Sequence, residues 1–243
     1  MLNKINVIGK ILINNERKND NFSASESMVE RDNKREPWLY FSLLVSTPSD
    51  SITVLRCMAQ GEIVKKIEEI QENDLVEVKG YLRNEKDGRQ IVIKVVEFDK
   101  LDLSHEEVSK KNPNQVRLLG KIITDLQDSE NQRKSDVLSF KLAVPREGVK
   151  LPLFFCRAHG ELISEINEKL KKGDIVLLEG FLQTKKVEES IDSEKKFSRI
   201  SSIICQGFTF LDNDSVNNFS QLDNLNRVFK NTEKIDFTKP KIN

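Results

Sequence analysis

Asn114-Gln115-Val116-Arg117-Leu118-Leu119-Gly120-Lys121-Ile122 repeats, in the same order of residue types, Asn3-Lys4-Ile5-Asn6-Val7-Ile8-Gly9-Lys10-Ile11. Outward from this pair the likeness continues. Leu39-Tyr40-Phe41-Ser42-Leu43-Leu44-Val45 is matched by Leu138-Ser139-Phe140-Lys141-Leu142-Ala143-Val144, and Cys57, Ala59, Gly61 and Glu62 by Cys156, Ala158, Gly160 and Glu161. Asp74-Leu75-Val76-Glu77-Val78-Lys79-Gly80-Tyr81-Leu82 is matched by Asp174-Ile175-Val176-Leu177-Leu178-Glu179-Gly180-Phe181-Leu182. Blocks recurring in one order make the chain a tandem repeat. The spacing between blocks drifts, so the halves differ in their loops: Asn14–Glu36 is longer than its counterpart, Asp125–Ser135.

Within each half the apolar period assigns the elements. Leu39, Phe41, Leu43 and Val45 alternate with Trp38, Tyr40, Ser42 and Leu44, the pattern of a strand with one buried face. After Gly61, residues Ile63, Ile67 and Ile70 recur at helical spacing; after Gly160, Leu162, Ile163, Ile166 and Leu170 do so. Asp87-Gly88 is a tight-turn pair between the last two strands of the first half. The order is strand, strand, strand, helix, strand, strand, which is that of the five-stranded OB-fold barrel. The expected fold is all-β with one helix per domain: two tandem OB-fold five-stranded barrels at 1–103 and 114–212, as separate sheets, with helices at about 61–72 and 160–172. Residues 104–113, polar and ending in Pro113, read as the linker. Residues 213–243 read as a polar, disordered tail with a short helical stretch at Leu222–Phe229.

Composition bounds function. Lys+Arg and Asp+Glu are both 39, so net charge is zero and any face for nucleic acid must arise from local segregation of charge. No apolar run approaches the roughly 18 residues of a membrane span, so no membrane partner is expected. The strand pattern starts within a few residues of Met1, without a signal core or presequence, so the protein is expected in a bacterial cytoplasm or in an organelle that encodes it. Cys57, Cys156 and Cys205 lack metal-ligand spacing and are odd in number; they read as small buried residues in a reducing compartment. The histidines are His105 and His159, with no Ser/His/Asp set and no paired-His motif, and Gly9-Lys10 and Gly120-Lys121 lack the rest of a phosphate loop. No catalytic residue, metal or cofactor is expected, and the chain reads as a non-enzyme.

The second half resembles the bacterial single-stranded DNA-binding proteins. The resemblance rests on Val116–Ile122, Leu138–Val144, Gly160-Glu161-Leu162, Leu170-Lys171-Lys172-Gly173-Asp174, Val176–Thr184 and Gly207-Phe208-Thr209-Phe210-Leu211-Asp212. The first half carries the pattern more loosely, so the resemblance covers 3–103 and 114–212. It implies binding of single-stranded DNA without strong sequence preference, in replication, repair or recombination. It also implies a homodimer, since two such chains restore the family's four OB domains. The family's base-stacking positions fall here on Pro48 and Glu147, Val54 and Leu153, Gln60 and His159, and near Asp87 and Val187; of these His159 keeps a flat ring. Family members recruit replication and repair proteins through an acidic tip, whereas this chain ends in the basic Phe237-Thr238-Lys239-Pro240-Lys241-Ile242-Asn243.

Other residues offer stacking and charge. Trp38 and Tyr40 lie opposite the core-facing Phe41, with Arg56 expected on their face of the sheet; this is either a stacking pair or a subunit contact. In the second half Phe155, Arg157 and His159 alternate with core positions, and Lys141 joins them from the neighbouring strand; this face either holds nucleic acid or is covered by another subunit. Arg83, Lys86, Arg89 and Lys94, then Lys185, Lys186, Lys195, Lys196 and Arg199, supply basic hairpins that fit a groove tracking a backbone, or plain solvated charge, with Glu188, Glu189 and Glu194 offsetting the second set. The rival readings are an OB-fold interaction subunit that has lost DNA binding, and a binder of single-stranded RNA.

Overall fold

The computed structural model describes residues 3–12, 27–31, 34–49, 51–85, 89–103, 107–108, 111–126, 136–145, 151–191 and 194–211. The first half contains β1 (Asn3–Leu12), β2 (Ser27–Arg31), β3 (Lys34–Ser46), β4 (Ile52–Gln60), α1 (Glu62–Glu68), β5 (Leu75–Asn84) and β6 (Ile91–Lys100). The second contains β7 (Asn114–Ile122), β8 (Val137–Ala143), β9 (Leu153–His159), α2 (Glu161–Lys169), β10 (Ile175–Ile191) and β11 (Glu194–Leu211). In the first half β1 pairs β5, β5 pairs β6, β6 runs parallel to β4, β4 pairs β3 and β3 returns to β1, which closes a five-stranded barrel. In the second half β7, β10, β11, β9 and β8 close in the same cycle.

Closure leaves the alternating apolar residues inside. Val7, Leu43, Leu55, Val78, Leu82 and Ile93 are buried in the first barrel, and Leu118, Leu138, Leu142, Phe154, Leu182 and Ile203 in the second. Fully burying one such side chain contributes about 1.5–3 kcal/mol. Val96 and Gln206 are the extra residues that bulge β6 and β11, and at these register shifts sit Gly80 and Gly180. A Cβ at either would fall inside the carbonyl oxygen of Lys94 or Ile204, so the repeat keeps glycine where the bulged strand crosses its neighbour's backbone.

One expectation fails. The barrels share a sheet: β1 pairs β7 antiparallel, from Asn3 opposite Leu118 to Val7 opposite Asn114, which joins both halves into an eleven-stranded sheet. The register is pseudo-symmetric. Asn3 and Asn114 are repeat equivalents, as are Val7 and Leu118, and Ile5 meets its equivalent Val116 at the centre. The repeat therefore builds its own two-fold contact within one chain.

The two asparagines also lock each barrel. Asn3 donates from Nδ2 to the Leu82 carbonyl at 3.1 Å and accepts from the Leu82 N–H at 2.9 Å. Asn114 does the same with Leu182, at 2.8 and 3.1 Å, and both side chains are buried. Replacing Asn114 by alanine would strand a buried N–H and a buried carbonyl, each costing about 1–3 kcal/mol. Asn114→Ala should therefore lower the urea midpoint markedly; a midpoint equal to that of the parent would refute this role.

The helices are shorter than the periodicity suggests. Asp74 Oδ2 accepts from the Gln71 N–H at 2.9 Å, and Asp174 Oδ2 from the Lys171 N–H at 2.9 Å. A carboxylate that takes a backbone N–H offers the chain a turn in place of another helical turn. Hydrogen bonds from Lys100 and the Gln71 N–H hold the Asp74 carboxyl below its usual range. The loop expected over Asn14–Glu36 contains β2, paired with the start of β3. Strands β10 and β11 run on far past Leu182, as a hairpin to Ile191 opposite Glu194. All three cysteines are free and buried, and burial pushes their thiols up, that of Cys205 to about 12. The turn at Asp87-Gly88, half of the linker (104–106 and 109–110) and the tail from 212 onward lie outside the described residues. Among the described residues no helix is long and apolar enough to cross a membrane.

Candidate nucleic-acid interface

The outward face of the first barrel is set by ladder register. Tyr40 opposes Met58, Met58 aligns with Lys94, and Lys94 opposes Tyr81, so one row crosses β3, β4, β6 and β5. In the next row Ser42 opposes Arg56, which aligns with Val92, and Val92 opposes Arg83. Trp38 and Gln60 form a third row. Cross-strand partners share a face, so residues far apart in sequence meet here.

Sequence reasoning placed Trp38, Tyr40 and Arg56 together, and they are. The Trp38 and Tyr40 rings meet edge to face at 89°, centroids 5.0 Å apart. The Arg56 guanidinium lies 4.1 Å from the centre of the Tyr40 ring. A cation over a ring face is attracted by the ring's quadrupole, and it offers a second flat surface for a base. Arg56 Nη1 also donates to Glu85 Oε1 at 2.6 Å, a residue singled out by no sequence pattern. A phosphate arriving at Arg56 would compete with that carboxylate. Lys94 donates to Gln60 Oε1 at 2.7 Å, which ties the first row to the third. Arg83 is exposed at the end of β5, and Arg89 is exposed at the far side of the hairpin loop.

The second barrel presents a differently furnished face. Lys141 opposes Phe155, Ser139 opposes Arg157 and Val137 opposes His159. Phe155 is 42% exposed, enough to present its ring, and Lys141 Nζ stands 5.8 Å from the ring centre. Arg157 is half-buried, its Nε buried and without a hydrogen-bond partner among the described residues, and His159 is exposed. These four lie on one sheet face, as the alternation implied.

The remaining basic candidates lie on the β10–β11 hairpin. Lys186 opposes Arg199 and Lys185 opposes Ile200, so Lys185 points to one side and Lys186 and Arg199 to the other. Lys186 Nζ lies 4.2 Å from the centre of the Phe197 ring, which is 59% exposed. Phe197 was not selected from the sequence, because its neighbours Lys195, Lys196 and Ser198 carry no apolar alternation. Arg199 is brought to Arg56: both line one small pocket between the halves, with Ser42, Val54, Thr184 and Ser201. The halves are stitched there by Thr184 N–H donating to Thr53 Oγ1 and Ser201 N–H donating to the Arg89 carbonyl, both at 2.9 Å. Among the described residues no cluster of three or more metal-ligating side chains occurs.

Comparison with known proteins agrees with this architecture. Residues 113–211 match the model of the single-strand binding protein family. The wild-type single-stranded DNA binding protein from Thermus aquaticus superposes with a TM-score of 0.58 at 20% identity, covering 87% of this chain and 93% of that one. A deletion mutant of the same protein gives 0.53 at 20% identity, over 88% and 96%. That likeness spans both barrels and is one of fold. No curated protein sequence matches the chain.

Proposed function

From a chain whose second barrel matches the model of the single-strand binding protein family, we propose that the whole binds single-stranded DNA without strong sequence preference and catalyses nothing. The observation that carries the reading is the first barrel's outward face, where Arg56 lies 4.1 Å from the centre of the Tyr40 ring on strands of the face that OB folds use for oligonucleotides. Stacking on a ring is tolerant of sequence because every base has a flat face, and each stacked base contributes about 1–3 kcal/mol. The cations Arg83, Arg89, Lys94, Lys141, Arg157, Lys185, Lys186 and Arg199 would answer phosphates around the two barrels.

The same reading extends to a cytoplasmic role in replication, repair or recombination, and to a homodimer in which two chains bring four barrels together. A monomeric mass by light scattering would overturn the dimer. Competition tests the ligand. Unlabelled oligo-dT should displace a labelled oligo-dT, while duplex of equal length should not, because paired bases present no free faces. Duplex or oligo-U competing as well as oligo-dT would remove the preference for single-stranded DNA.

A further inference from the structure

We propose that the chain beyond β11 folds back on its own second barrel, with Phe219–Phe229 seated as an amphipathic helix on an apolar patch outside that barrel. The proposal is independent of the ligand and concerns what covers the second barrel's outer surface.

The patch is separate from the barrel interior. Along β7 Leu118 faces inward, while Leu119 faces out and clusters with the buried Ala143 and Ile175 and the half-buried Leu153, Leu177 and Leu211. One ladder row carries most of it. Leu211 opposes Ile175, Ile175 opposes Lys121, Lys121 opposes Ala143 and Ala143 opposes Leu153. Strands lie about 4.8 Å apart, so the row is roughly 19 Å wide.

The repeat shows the course that the chain takes in the first half. Ile8, the equivalent of Leu119, also faces out and is also buried. Leu101, just after β6, donates its N–H to the Leu75 carbonyl at 2.8 Å, and the Pro113 carbonyl accepts from the Ile8 N–H at 2.8 Å. The linker between these two anchors therefore passes β5 to reach β1 outside the barrel, with Leu103 and Val108 half-buried along it. Leu211 stands where Leu101 does. It opposes Ile175, the equivalent of Leu75, and both leucines are followed by aspartate. The chain beyond β11 thus departs from the edge of the patch, at the place from which the linker passes over the first barrel.

Each segment matches the face it leaves. The first barrel presents Glu77, and its linker carries Ser104-His105-Glu106-Glu107. In the second barrel Leu177 replaces Glu77, and the following chain carries Phe219, Leu222, Leu225 and Phe229. Leu222, Leu225 and Phe229 share one helical face, with Asp223, Arg227 and Lys230 on the other. Ser220-Gln221-Leu222-Asp223 has the capping-box pattern that opens a helix. A helix over 220–230 is roughly 16 Å long, close to the width of the patch. Phe219 lies within about 26 Å of extended chain from Leu211, enough to cross the whole row.

Hydrogen–deuterium exchange on the full chain tests this. Amides of Leu222–Phe229 should exchange at least about tenfold more slowly than in a free peptide of the same sequence, equally at low and high protein concentration. Leu177→Glu, which installs the first barrel's residue, should return them to the peptide rate while β10 and β11 stay protected. Should that variant not fold, Leu225→Glu carries the test: the segment should lose its protection, and anilinonaphthalene sulfonate should brighten on the uncovered patch. Peptide-like exchange in the parent, protection that survives Leu177→Glu in a folded protein, or dye emission unchanged by Leu225→Glu would overturn the docking. Protection that grows with protein concentration would overturn docking within one chain, because the occupant would then be another copy.

Discussion

Gly180→Ala should prevent the second barrel from closing. The added Cβ would fall within the Ile204 carbonyl oxygen and press on Cys205 Cα, and all of these are backbone atoms with no rotamer to yield. Relief would require β10 to move off β11 at the β11 bulge opposite Glu179 and Gly180. There Val116 opposes Gly180, and the β7 ladder runs on to Lys121 opposite Ile175. The expected loss is on the order of 4 kcal/mol or more, in the range reserved for a buried steric conflict. For a domain of this size that is a large fraction of its stability, so the variant should be partly unfolded or insoluble by circular dichroism and melt well below the parent. Gly80→Ala should do the same to the first barrel through the Lys94 carbonyl. A Gly180→Ala protein melting within about 2 °C of the parent would show that the bulge is not what closes the barrel.

The repeat made much of this legible. Matching blocks from Asp74 to Leu82 and from Asp174 to Leu182 marked equivalent strands, and alternation from Leu39 to Val45 set the buried face. The shared sheet was not legible. Asn3 and Asn114 look polar and exposed at strand starts, and nothing local says that each side chain serves as backbone partner to a distant leucine or that β1 pairs β7. Hairpin length was also hidden, since Lys185, Lys186, Glu188 and Glu189 give no apolar period from which to count a strand. On the candidate site, alternation placed Trp38, Tyr40 and Arg56 on one face. It missed Glu85 and Phe197, whose places depend on which strands and hairpins lie alongside.

Tyr40→Ala carries the second large effect. The ring is the floor on which Arg56 lies and the edge partner of Trp38, so removing it dismantles the platform as a unit. Tyr40 is half-buried on the outward face, so the barrel should still fold. Affinity for oligo-dT should fall by the worth of about one stacked base, 1–3 kcal/mol, or about 5- to 150-fold. Glu85→Gln should act in the opposite direction. It replaces the carboxylate that meets Arg56 at 2.6 Å by a neutral amide, which competes less with an arriving phosphate, and should raise affinity and steepen the salt dependence. A Tyr40→Ala protein that is folded and binds with parent affinity would move the site away from this face.

Trp38 is the only tryptophan in the chain, so intrinsic fluorescence reports on that face without a label. The most direct measurement is titration of the protein with oligo-dT at several salt concentrations, following tryptophan emission. Saturable quenching is expected, with log affinity falling by about 0.7 for each phosphate neutralised as log salt rises. Absence of any binding at low salt would contradict the assignment to single-stranded DNA, and saturable binding by anisotropy with unchanged tryptophan emission would contradict its placement beside Trp38.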